Sequence, residues 1–348
     1  MVLLVVTVVA ALLVGLPWLV VKGPYVLDAQ YINEKTVGDG AGSAGLVTGL
    51  RTALVACVAA IGAGVALLYT ARTYRLNRRG QITERFTKAL ERLGSEHQYV
   101  RIGGILALEQ ITRDAPEQAA TDAARVLNHF IRDKAPKAAK PDATEEEAAE
   151  LPKEPAADIQ AALTALTRTE SRTHVDPRER LDLQGLHLAG ARLAEADLAE
   201  ADLEGATLTD ADLEGATLTS AFLLGAMLNS AGLKGADLTD ARMQRATLTD
   251  ASLIGADLTS AYLKGATLTD ADLIGADLTG AYLKGATLTD TDLDRATLTN
   301  ANLKGVDFTG SEGLTAEQIN AALTDDDTIL PDYLRGQPAS PSTSVGGR

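Results

Sequence analysis

The sequence predicts a mainly β fold, a solenoid whose chain turns a corner every five residues. Three observations predict it. Residues 181–310 divide into 26 consecutive quintets, from LDLQG and LHLAG to ANLKG and VDFTG. The third position of each quintet is Leu except at Met243 and Phe308, and the first is Ala except at Leu181, Leu186, Thr291 and Val306. The block also repeats at 20, since ATLTDASLIGADLTSAYLKG is followed by ATLTDADLIGADLTGAYLKG. A fixed internal period dictates architecture before local propensity does.

Five fits neither regular element. In an α-helix, positions one and three would lie about 200° apart, so Ala and Leu would face opposite ways. The Thr, Asp and Gly content also disfavours a helix. In a straight strand those positions share a face, but an odd period sends the next Leu to the other face. A corner in every quintet resolves both conflicts. Ala and Leu then always point inward, and stacked neighbours form a β-solenoid.

The quintets ADLEG, ADLTD, ADLIG and ANLKG resemble the A(D/N)Lxx tandems of pentapeptide-repeat proteins, over 130 of 348 residues. The resemblance implies a right-handed quadrilateral β-helix with four quintets per coil. Twenty-six quintets make about six and a half coils, or roughly 30 Å at one strand spacing per coil. A rigid solenoid without convergent catalytic groups reads as a binding surface rather than an enzyme. Some relatives inhibit DNA gyrase by presenting an acidic, DNA-like rod as a dimer. Here the lysines at 264, 284 and 304 and an apolar N-terminus depart from that pattern.

From the N-terminus, residues 1–21 are uncharged and apolar, long enough to span a bilayer. A cleaved signal peptide is the alternative, but no basic segment precedes the apolar run. Residues 22–51 read as a polar, Gly-rich extracytoplasmic loop. Residues 52–69, TALVACVAAIGAGVALLY, form a second candidate span. Arg72, Arg75, Arg78 and Arg79 follow it, so the positive-inside rule predicts a two-helix transmembrane hairpin with both termini in the cytoplasm. Ala56, Ala60 and Gly64 form a small-residue row that permits close helix packing.

Residues 70–133 read as a small helical juxtamembrane region of three helices. One ends near Gly94 and Ser95, one carries Ile102, Ile105, Leu108 and Ile111, and one starts at Pro116. Residues 134–157, rich in Pro, Ala and Glu, read as a flexible linker. Residues 158–180 hold an N-terminal capping helix, with Asp158 as its cap and a lead-in to the repeats. Leu181 and Leu186 would widen the first coil to receive that helix. After the block at 181–310, residues 311–335 form a C-terminal cap. There Thr315 and Gln318 fit a capping box, and Ile319, Ala322 and Leu323 would seal the end. Residues 336–348 read as a disordered tail.

The net charge of −15 and pI near 4.7 argue against direct nucleic-acid binding. The single cysteine, Cys57, and four scattered histidines give no disulfide or metal framework, and no catalytic, cofactor or metal residue is assigned. Aligning residues at the 20-residue period yields two candidate sites instead. Phe222, Arg242, Tyr262 and Tyr282, flanked by Lys264, Lys284 and Lys304, form a candidate partner surface. Asp210, Asp212, Asp250, Asp270, Asp272, Asp290 and Asp292 form a candidate acidic ridge. A self-stacking ladder and a solvated corner are the bland alternatives. Ile254 and Ile274 suggest an exposed apolar pair. The expected function is a membrane-anchored, non-enzymatic scaffold with a protein partner of unknown identity. Contact with membrane lipid through two helices and possible homo-oligomers follow. Inhibition of a DNA-binding enzyme such as gyrase is the alternative.

Overall fold

A computed structural model describes residues 41–139 and 151–335, together with Trp18, Val21, Lys22 and Val26. The chain divides into two compact units, Met1–Gln81 and Ile82–Arg348.

The first unit is dominated by α1, Ala41–Leu93, which runs on into the second. It starts well inside the segment expected to be a loop over 22–51. It also passes beyond 69 without a break, because no proline interrupts it. Its isolated glycines, such as Gly62 and Gly64, each cost about 1 kcal/mol but do not end a helix. Its side chains over 52–69 that are described are largely exposed, Leu67 and Leu68 among them. The Arg51 guanidinium donates to the Val21 carbonyl at 3.3 Å. The candidate span at 1–21 lies almost wholly outside the described residues.

The second unit begins with the last turns of α1, then α2 (Gln98–Asp114), α3 (Pro116–Lys134) and α4 (Ala157–Thr167). Pro116 occupies the first turn of α3, where a missing N–H costs nothing. α4 is short and buried on nearly every side: Ile159, Ala162, Leu163, Ala165 and Leu166 are all inside. An all-round apolar helix needs cover on all sides. The first coil covers one side, and α2 and α3 pack on the others. The sequence therefore understates the cap. The helices of 82–134 share one continuous core with Leu181, Leu183, Leu186 and Leu188 rather than standing off behind a tether.

Both described ends of the 134–157 segment lie on the solenoid, which the Pro- and Glu-rich composition did not foretell. Lys137 pairs antiparallel with Leu186, and the His187 amide donates to the Pro136 carbonyl at 2.8 Å. The His187 ring nitrogen Nε2 meets the Pro152 carbonyl at 2.8 Å. Gly190, at φ +63, admits the Lys153 backbone, since a Cβ there would fall on the Lys153 carbonyl oxygen.

Asp158 is not the helix cap; Ala156 holds that position. Its carboxylate instead takes a 2.6 Å bond from Arg101 Nε and a 3.1 Å bond from Gln98. The side chain is only 2% exposed, so the pair ties α2 to α4. Arg168 adds a second tie by pairing with Glu109 on α2.

From Leu181 onward the chain stacks on itself at a constant offset of 20. Asp202 bridges Asp182 and Phe222, Arg242 bridges Phe222 and Tyr262, and the pattern persists to Asp292 with Glu312. From 201 to 285 every quintet makes the same bonds. In 201–205, the Asp202 amide donates back to Leu181 and the Leu203 amide donates forward to Phe222. The Gly205 amide donates to Leu224, and the Ala206 amide closes the turn on Leu203. The backbone is thus satisfied coil by coil. Only single-residue parallel bridges form, with no extended strand among the described residues, because a corner arrives before a second pair can. Inside, the Leu and Ala columns are essentially fully buried from Leu181 to Phe308. Thr291, which replaces an inward Ala, bonds the Leu288 carbonyl at 2.9 Å and Ser311 at 3.2 Å, so its hydroxyl is satisfied.

The fifth position of the quintet carries a positive φ, as at Gly205 (63°), Asp210 (58°) and Arg295 (57°). That turn needs a left-handed residue at its third position, where Gly is free and Asp or Asn is tolerated.

α5 (Thr169–Arg172) packs with α2, α3 and α4 at the entrance, and at the far end the exit is closed by α6, Ala316–Asn320. Thr315 and Gln318 form the capping box, and Gln318 also donates to the Leu293 and Ala296 carbonyls. Ile319 and Ala322 pack on the core, but Leu323 is 55% exposed and does not seal it. Leu323 serves by its backbone, bridging Asn302, as Ile329 bridges Asp307. These two pairs continue the coil past 310.

Two outcomes follow. Burial alone would raise the Asp158 carboxyl, but the bonds from Gln98 and Arg101 and the Arg101 charge hold it below its ordinary 3.8. A depressed folded value means the tie is complete above 3.8 and fades as pH falls through the lower folded value. Hydrogen exchange should show α4 losing protection in that acid window, and Asp158→Ala should cost about 3 kcal/mol at neutral pH. Conversely, Arg295→Gly should raise stability by roughly 0.5–1 kcal/mol in a denaturant melt, by relieving a left-handed side chain.

Candidate protein-binding face

Four quintets per coil give four faces. Face one holds the quintets starting at 181, 201, 221, 241, 261, 281 and 301, and faces two, three and four follow at steps of five. Columns on a face are fixed by the parallel bridges, so a sequence offset of 20 becomes spatial adjacency at about 4.8 Å.

Face one brings together every residue of the candidate partner surface. Phe222, Arg242, Tyr262 and Tyr282 are successive bridged neighbours. The rings of Tyr262 and Tyr282 stack at 5.0 Å with 6° between planes. The Arg242 guanidinium lies 4.7 Å over the Phe222 ring, and Arg180 covers the same ring at 5.3 Å. These contacts are favourable cation–π geometry. The stack thus runs along the coil axis, and the outer edges of Tyr262 (38% exposed) and Tyr282 (47%) face solvent. Beside it lies a depression of about 480 Å³ lined by Leu224, Gln244, Arg245, Lys264 and Lys284. Lys304 continues the lysine column.

Two members of this face were missed in the sequence. Arg180 precedes the first quintet, and only extending the register one step back places it at a corner. Arg245 sits at a fifth position with φ 59°, where Gly or Asp is usual, and that departure was the available signal.

The acidic ridge resolves into two different roles. Asp210, Asp250, Asp270 and Asp290 occupy fifth positions at φ 57–58°, the corner of face two. Asp212, Asp272 and Asp292 occupy second positions on face three. Their Oδ1 atoms accept the amides of Glu214 (3.2 Å), Ile274 (3.1 Å) and Asp294 (2.9 Å). Asp202, Asp237, Asp257, Asp277 and Asp307 bond the residue two ahead in the same way. This is an Asx turn, which rounds the corner that the fifth position completes. Burial alone would raise the Asp237 carboxyl, but bonds from Thr239 and Thr219 hold it below 3.8. Ile254 and Ile274 are half-buried rather than exposed.

Charge divides by face. The face-one quintets from 221 to 305 carry Arg242, Arg245, Lys264, Lys284 and Lys304 and no carboxylate. Face four carries Asp197, Glu200, Asp237, Asp240, Asp257 and Asp277 and no Lys or Arg. Face two carries Asp210, Asp250, Asp270, Asp290 and Asp307, again without Lys or Arg. Among the described residues no group of His, Cys, Asp and Glu is arranged to hold a metal ion.

This geometry defines a quadrilateral β-helix of the pentapeptide-repeat class, a family that implies a right-handed coil. The family model for pentapeptide repeats matches in eight copies over residues 179–311, and the chain belongs to that family. Among solved structures it is similar to a trypsin-treated form of QnrB1, a plasmid-mediated fluoroquinolone resistance protein. The identity is 22%, covering 42% of this chain and 77% of that one, with a TM-score of 0.38. It is also similar to HetL, a pentapeptide repeat protein involved in heterocyst differentiation regulation from the cyanobacterium Nostoc. That match has 32% identity, covers 43% of this chain and 73% of that one, and has a TM-score of 0.26. A pentapeptide repeat protein from the Arabidopsis thaliana thylakoid lumen matches at 31% identity. It covers 30% of this chain and 68% of that one, with a TM-score of 0.24. No curated protein matches the chain.

The two acidic roles separate by mutation. Asp272→Ala should cost about 1 kcal/mol of stability by orphaning the Ile274 amide. Asp270→Gly should leave the melting midpoint unchanged or higher, since Gly adopts the corner freely.

Proposed function

We propose that the protein is a membrane-anchored, non-enzymatic scaffold that captures a protein partner on face one of its solenoid. The observation that carries this reading is the charge division. A rod of net negative charge keeps one face, between 221 and 305, free of carboxylates and lined with aromatics and five cations. Aromatic and Arg side chains are the usual anchors of interfaces. Their stacking gives the rod local stability as well, but stacking does not require the adjoining lysines. A column of three like charges about 4.8 Å apart opposes folding, so it points to a use outside the fold.

Membrane anchoring is supported by α1. The helical stretch Arg51–Leu93 contains a window of mean hydropathy 2.2, long and apolar enough to cross a bilayer. The bond from Arg51 to the Val21 carbonyl is consistent with a hairpin. The arginines at 72, 75, 78 and 79 support a cytoplasmic repeat block.

A second reading, inhibition of a DNA-binding enzyme such as gyrase by DNA mimicry, is favoured by faces two and four. Their carboxylates stand in columns without a cation. Face one opposes it, because a DNA mimic gains from negative charge on every side it presents.

The test uses the full-length chain in detergent micelles as bait. Crosslinked capture should recover a discrete partner, and Lys264→Glu with Lys284→Glu and Lys304→Glu should reduce recovery at least tenfold with the fold intact by circular dichroism. Unchanged recovery from the triple variant overturns the face-one assignment. Inhibition of gyrase supercoiling by the same chain, retained in that variant, would establish the second reading instead.

A further inference from the structure

We propose that the occupant of face one is face four of a second copy of this chain. This rests on the reading of face one as a binding face and names what it binds.

Three observations carry it. The charges are complementary at matching density: Lys264, Lys284 and Lys304 stand in consecutive coils on one face, and Asp237, Asp257 and Asp277 stand in consecutive coils on the other. Each carboxylate spends Oδ1 on its own turn. Thr219 takes Oδ2 of Asp237, and no described residue bonds Oδ2 of Asp257 or Asp277. Those oxygens are available to a cation from outside.

The second observation is spacing. Both columns advance by one coil, about 4.8 Å, because both belong to the same ladder. A partner strand laid along the axis repeats its side chains about every 6.8 Å and loses register within two coils. An α-helix, at about 5.4 Å per turn, comes closer and is the main competitor. A second solenoid keeps register over any length. Small outward residues on face four, Thr239, Thr259, Thr279 and Ser260, leave room for Tyr262, Tyr282 and Leu224 to approach.

The third is range. The net charge of −15 opposes association at a distance, yet at about 0.15 M salt the screening length is about 8 Å. Contact pairs lie inside that length, so they are screened far less than charges set further apart.

The two surfaces differ, so the contact is heterologous and each added copy leaves one face of each kind unused. Faces one and four adjoin at a quarter turn, so copies lying parallel close into a ring of four, whereas copies alternating in direction continue side by side.

The test mixes isotopically labelled and unlabelled full-length chains in detergent and couples lysine to carboxylate with a zero-length carbodiimide. Mixed-isotope links should join Lys264, Lys284 or Lys304 to Asp237, Asp257 or Asp277. The pair Lys264→Glu with Lys284→Glu should lower them at least tenfold, as should Asp257→Lys with Asp277→Lys. Mixing the two variants should restore links between the swapped positions, which a misfolded chain could not do. Links confined within one chain, or no restoration on mixing, overturn the proposal. If mixed-isotope links are absent while the Lys264→Glu, Lys284→Glu variant still loses a captured protein, face one binds another protein and only the second-copy inference falls. If that variant changes neither, the face-one reading falls with it.

Discussion

Everything in the second unit depends on one bond pattern, in which each coil supplies the hydrogen-bond partners of the next at a fixed offset of 20. An amide on Leu203 is satisfied by Phe222, and the amide of Phe222 reaches back to Ala201. No coil is complete alone, so the block folds as a stack and its two ends carry unmet demand. That demand explains both caps. At the entrance, residues 136–138 and 152–154 and the helices α2 to α4 cover the first coil. At the exit, Leu323 and Ile329 lend their backbones where no further quintet exists. The inward Leu and Ala columns make the stack stable. The ladder makes it unique, since a slip of one residue would carry every Leu outward.

The interior was legible in the sequence because periodicity and burial express the same constraint. A Leu at every third position needs only an inward direction, and the corner in each quintet supplies it. The Thr315 and Gln318 capping box was also legible, as a local motif with a local cause. What could not be read was tertiary. Asp158 has the composition and place of a helix cap, yet a distant Arg101 claims it. Residues 134–157 have the composition of a linker, yet both described ends lie against the first coil. Leu323 looks like a plug, yet its amide and carbonyl matter more than its side chain. In each case the partner lies 25 to 60 positions away or the role belongs to the backbone, and local pattern is blind to both.

The outward surface falls between these extremes. The columns were visible as soon as the period of 20 was known, and they were correct as neighbours. Their roles were less visible. Aspartate at the second position seemed to be a charge for use by others, whereas its first oxygen is already committed to the corner. This is the physical content of the A(D/N)L preference: Asp and Asn share an oxygen at the same reach, so they interchange. By the same reasoning a face is informative where it abandons that preference. Phe222, Arg242, Tyr262 and Tyr282 give up the corner bond that Asp202 keeps, and the stack of rings and guanidinium replaces it.

The four-cornered coil also gives this surface an unusual kind of addressing. Position along the chain, taken modulo 20, fixes compass direction around the rod. Loss or gain of a whole coil would change only length, leaving every downstream side chain on its own bearing. Loss of a single quintet would keep the interior nearly perfect, with each Leu still inward, but would rotate all that follows by a quarter turn. Lysines upstream and downstream of the cut would then point in perpendicular directions. Such a chain could fold as well as its parent and present a surface its partners no longer recognise.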